Sequence, residues 1–156
     1  MAKHIWINPA RFQKLGKEVQ VDGIDLQVQL SPFSRPNGVR GEYQRKTKCF
    51  VIRFDYIDAE PDGAPSVHRG IRFIPGKHSG KLLAIEIPIA VGVFKSAALI
   101  QLQTEVVAAL KDQSSQFDPE QNDRGTWGKY LNWEAAREVL EDESEFNAVA
   151  GELVGA

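Results

Sequence analysis

A chain of 156 residues has the length of one domain, and residues 1–156 read as a single unit. Its 42% hydrophobic and 26% charged content excludes wholesale disorder and a collagen-like fibre. The net charge of −2 conceals an asymmetry, because residues 1–81 carry 14 Lys and Arg against 8 Asp and Glu while residues 82–156 carry 5 against 13.

In chain order, Asn8-Pro9 followed by Gly16 has the marks of a short helix, with a capping Asn, a Pro suited to the first turn and a Gly exit. Residues 19–21 and 24–30 alternate apolar and polar around Asp22-Gly23, which predicts a tight hairpin with Val21 opposite Ile24 and Val19 opposite Leu26. Residues 31–46 are rich in Pro and Gly and read as a loop. The strand from about Thr47 to Asp58 places Phe50, Ile52, Phe54 and Tyr56 on one face, and Val51, Arg53, Asp55 and Ile57 on the other. Val67, Ile71 and Phe73 mark the next strand, and Leu83, Ile85 and Ile87 the one after it. Pro88 lacks a ladder donor, so that strand lies at an edge or breaks before 89–94.

The period then changes to that of helices. Leu99, Leu102, Val106, Ala109 and Leu110 form one stripe, residues 113–128 read as a long loop, and Ala136, Val139, Leu140, Phe146, Ala150 and Leu153 form a second stripe. Glu143 falls on that second stripe. A buried carboxylate needs a partner, so a helix break within 141–144 is the reading that leaves it solvated. Strands first and helices last, joined by hairpin-length links, predict an α+β fold. The expected architecture is an antiparallel sheet of five to six strands with two C-terminal helices packed on one face.

Three groupings carry candidate chemistry. The polar sheet face collects Arg53, Asp55, His68, Arg72 and Glu86. If Tyr56 pairs with Val67, Asp55 stands opposite His68, and a carboxylate beside an imidazole makes an acid/base pair with Arg53 or Arg72 to hold an anionic substrate. A solvated face of cross-strand charge pairs accounts for the same residues. A second grouping is the basic stretch Arg35, Arg40, Arg45, Lys46 and Lys48 with Phe33 and Tyr43, which suits phosphates and stacked bases. Against it stand a sequence pI near 5.9 and the lack of a nucleic-acid-binding motif. Third, Gly76-Lys77-His78-Ser79-Gly80-Lys81 resembles a phosphate loop but has the wrong glycine spacing and no helix to follow, so a tight polar turn is expected.

No metal-ligand spacing or cofactor motif emerges, since His4, His68 and His78 are scattered and residues 118–129 fail the calcium-loop pattern. Cys49, the single cysteine, reads as an inert, partly buried thiol. The lone cysteine, the missing secretory leader and the absence of a membrane-length apolar run point to a cytoplasmic setting. The sequence therefore predicts a non-enzymatic binding or protein-interaction module, with a symmetric homodimer as one version of it. The alternatives are a small metal-independent enzyme using Asp55 and His68, and nucleic-acid binding through residues 33–48.

Overall fold

The computed structural model describes Trp6 and residues 16–21, 23–29, 35–89, 96–114 and 124–151. Two strands, β1 (Gly16–Val21) and β2 (Ile24–Gln29), form a separate two-stranded antiparallel sheet. Val21 stands opposite Ile24 and Val19 opposite Leu26, the register that the alternation dictates. Gly23 closes the turn at φ +77°, a left-handed conformation that a residue without Cβ adopts at no steric cost.

The main sheet has five antiparallel strands: β3 (Gly38–Gln44), β4 (Cys49–Asp55), β5 (Ser66–His68), β6 (Ile71–Pro75) and β7 (Leu82–Pro88). Their spatial order is β3-β4-β7-β6-β5. Helices α1 (Ser96–Ser114), α2 (Arg124–Glu141) and α3 (Glu143–Val149) follow, and the class is the expected α+β. The inner sheet face presents Val39, Phe50, Ile52, Phe54, Ile71, Phe73, Ile85 and Ile87. All join one core with the stripe of α1, with Trp133, Val139 and Leu140 of α2 and with Phe146 and Val149 of α3. Each large side chain so buried contributes about 1.5–3 kcal/mol. Phe73 and Trp133 meet as tilted rings 5.8 Å apart, which ties the sheet centre to α2.

The helix breaks where four polar residues interrupt the stripe. Gln103 of α1 donates its side-chain amide to the carbonyls of Leu140 and Glu141 at 3.0 and 3.1 Å, satisfying the end of α2. Asp142 then takes an extended conformation and accepts from the Glu145 amide at 3.1 Å, capping α3 and leaving Glu143 exposed.

Three expectations change, and one pair of alternatives is decided. Residues 38–44, read as part of a loop, form the flanking strand β3; Gly41 there is a packing requirement, because a Cβ would lie 2.1 Å from the Val149 carbonyl and 2.5 Å from the Phe50 ring. Gly125-Thr126-Trp127-Gly128, read as loop, lie inside α2, the following apolar stripe having carried the helix backwards over weak formers. Residues 67–73, read as one strand, are a hairpin whose turn residues Arg69 and Gly70 have φ of 55° and 77°. Of the two alternatives at Pro88, the strand breaks there, ending at Pro88, and it lies at the centre of the sheet and not at its edge. The expected helix over 8–15, and the stretches 90–94 and 115–123, lie outside the described residues.

Candidate anion-binding face

The outer sheet face, opposite the helices, is where the polar residues of the strands converge. Register places Arg40 of β3 directly opposite Arg53 of β4, with Ala84 of β7 on Arg53's other side. Like charges facing each other across a ladder repel, and sheets normally avoid the arrangement. Both residues are half-buried, and neither meets a carboxylate among the described residues. The Arg40 Nε is shut off from solvent with no hydrogen-bond partner, a state that costs free energy. Its guanidinium lies over the Trp6 ring, 4.4 Å from the centroid, and Trp6 remains 40% exposed.

Arg72 and Glu86 also share this face as cross-strand neighbours, but they neutralise each other through an ion pair of 3.3 Å. Between the two groups Val51, Ala84 and Ile74 form a buried apolar strip, with Cys49 against it. Arg45, Lys46 and Lys48 are exposed in the turn joining β3 to β4, where Lys48 adopts φ 53°. The basic residues expected on a loop are therefore strand and turn residues of one hairpin. Tyr43 is unavailable for stacking on that surface, because it lies on the inner face and its hydroxyl donates to the Ile89 carbonyl at 3.3 Å. Phe33 lies outside the described residues.

The expected Asp55 and His68 pair is not formed. Asp55 stands opposite Gly38, at the end of β4, whereas β5 lies at the far flank of the sheet. The Arg69-Gly70 turn pairs His68 with Ile71, so His68 faces the helix layer and not the face of Arg72. There its Nε2 meets Asp112 Oδ2 of α1 at 2.8 Å, and Arg69 bonds the same oxygen at 3.0 Å. The hydrogen bond with His68, then that from Arg69, holds the Asp112 carboxyl below its ordinary range. An imidazole fixed by a carboxylate can serve as a general base, yet neither Arg53 nor Arg72 shares its face of the sheet.

A third polar cluster went unpredicted. The 76–81 turn wraps the Glu60 carboxylate: the His78 and Ser79 amides donate to Oε1 at 2.9 and 3.0 Å, and the Ser79 hydroxyl donates to Oε2 at 2.6 Å. Lys81 Nζ lies 3.6 Å from Oε2 and 4.4 Å from the Tyr56 ring centroid, with its side chain only 8% exposed. Burial pushes the Glu60 carboxyl up, but the Ser79 hydroxyl, the two amides and the Lys81 ammonium outweigh it and hold it down at about 2. Burial likewise raises the Tyr56 phenol, which donates to the Leu82 carbonyl. Gly76 is required here, since a Cβ would fall 2.2 Å from Glu60 Oε1. The turn that resembled a phosphate loop does hold an anion, and the anion is the protein's own.

Among the described residues, no group of three or more His, Cys, Asp or Glu is placed to hold a metal ion, and no helix is long and apolar enough to cross a membrane. The chain matches no family model, no curated protein and no solved structure.

Proposed function

We propose that the protein is a non-enzymatic binding module that takes an anionic group of its ligand between Arg40 and Arg53. The observation that carries this reading is the pair itself: two half-buried arginines opposed in register across β3 and β4, neither paired with a carboxylate among the described residues, one with a buried Nε lacking a hydrogen-bond partner. Like charges facing each other across a ladder are unfavourable in the free protein, and their repulsion is relieved by a phosphate or carboxylate, which accepts the planar, multidentate donors of Arg. The neighbouring Arg72 and Glu86 pair shows what the same face looks like when it is self-satisfied.

The test is thermal unfolding in inorganic phosphate, sulfate and citrate at matched ionic strength. An anion at about 100 times its dissociation constant stabilises the fold by about 2.7 kcal/mol, and Arg53→Ala abolishes that gain. No anion-dependent shift, or one that survives Arg53→Ala, overturns the reading. Self-association through the flanking strand β3 belongs to the same proposal, because an outermost strand offers backbone groups to a second chain. Sedimentation showing a monomer at all concentrations removes it. The enzymatic alternative keeps one supporting observation, the bond of His68 to Asp112, with Arg69 in place of the expected arginines.

A further inference from the structure

We infer that the anion taken by Arg40 and Arg53 is the backbone of a single-stranded nucleic acid, running along the β3–β4 hairpin toward its tip, with a base stacked near Trp6. The inference rests on the reading of the Arg40 and Arg53 pair as an anion site, and three further placements extend it. First, the cations form a track and not a point. Arg40 and Arg53 lie on the ribbon, and Arg45, Lys46 and Lys48 are exposed in the turn at its tip, with Glu42 the one carboxylate of β3 between the two groups. A small anion fills one such station, whereas a polyanion fills several and gains from each.

Second, an aromatic ring stands beside the track. Arg40 covers one part of Trp6 while 40% of the residue stays exposed, which suits stacking of an unpaired base but not reading of a duplex groove. No described helix projects from this face, as all three pack on the other side of the sheet. Third, the acidic side chains of the described helices lie on that other side. Glu105, Asp112, Glu134, Glu138, Glu141 and Glu143 belong to α1, α2 and α3, so the −2 net charge is an average over two unlike faces. A pI near 5.9 therefore does not describe the surface that a phosphodiester chain would meet.

The test is fluorescence anisotropy with a short labelled oligothymidylate, its duplex with oligoadenylate, and heparin as a competitor, across a salt series. Three results are expected. Affinity for the single strand falls steeply with salt, and the double variant Lys46→Ala/Lys48→Ala reduces the log–log slope by about two. Trp6→Ala lowers affinity for the single strand about tenfold or more, and lowers heparin binding by a smaller factor because heparin has no base to stack. The duplex binds more weakly than the single strand.

Phosphate-dependent stabilisation without oligonucleotide binding overturns this inference and leaves the anion site standing. Loss of both overturns both. Equal binding of duplex and single strand, or an unchanged affinity in Trp6→Ala, overturns the stacking mode and with it the single-strand assignment. All variants alter exposed or half-buried side chains, and thermal unfolding of each confirms that the fold persists.

Discussion

The Glu60 cradle and the Arg40 and Arg53 pair are both charge clusters on the same sheet, and they are built in opposite ways. Around Glu60 every donor has an acceptor: two amides, a hydroxyl and an ammonium converge on one carboxylate. On the outer face two arginines stand opposite each other with no carboxylate partner among the described residues, and a buried guanidinium nitrogen is left without a hydrogen-bond partner. A closed cluster has no capacity left for a ligand and serves to hold a turn in place. An open one weakens the free protein and gains from a ligand that arrives with the missing charge. Completeness of hydrogen bonding, and not charge alone, separates the two roles.

The contrast is broken or sharpened by substitution on each side, and the largest effect is expected at the closed cluster. Glu60→Ala leaves Lys81 buried without that carboxylate and frees the 76–81 turn, lowering stability by about 3 kcal/mol in urea titration while leaving anion binding intact. Gly41→Ala forces β3 away from α3 and costs about 1–3 kcal/mol by the same measurement, since the contact is with backbone. Arg53→Ala does the reverse of an ordinary half-buried truncation: stability stays level or rises by up to about 1 kcal/mol as repulsion is relieved, while stabilisation by phosphate disappears. The smallest effect belongs to Asp112→Asn, whose bonds with His68 and Arg69 are exposed to solvent: of the four variants its urea midpoint should move least, with anion binding unchanged.

The closed cluster also has a pH signature. Glu60 ionises at about 2 in the folded state against an ordinary 4.5, so the folded state binds the proton less readily than the unfolded one. Its contribution is therefore complete above about pH 4.5 and is lost progressively as pH falls toward 2. Glu60→Gln flattens that part of the acid-unfolding curve, whereas Arg53→Ala leaves it unchanged.

Local patterns were legible and pairings across the sheet were not. The β1–β2 register, the apolar face of β4 and the stripe of α1 follow from periods of 2 and 3.6 that neighbouring residues reveal. The break at Asp142 was visible as four polar residues interrupting a stripe. His68 was misplaced because its hairpin turns on Arg69-Gly70 without the Asn or Asp that usually announces such a turn. Asp55 was misplaced because β7, distant in sequence, lies between β4 and the β5–β6 hairpin. Arg40 and Arg53 were both recognised as candidate binding residues, in rival assignments, and only the β3–β4 register unites them. The 76–81 segment was legible as a tight polar turn but not as an anion cradle, because its occupant, Glu60, lies on a separate turn that no local pattern connects to it.

The strand order carries a consequence for how the molecule is made. β7 sits at the middle of the sheet, yet it is the last of the described strands to leave the ribosome. Until it emerges, the β3–β4 and β5–β6 hairpins have no common neighbour, and the flanks of β4 and β6 that face β7 remain open to other chains. Insertion of one apolar segment then closes both flanks in a single step. The amides of β4 and β6 should accordingly acquire protection from hydrogen exchange together during refolding, with β7 as the closing element; protection of one hairpin well ahead of the other would refute that sequence of events.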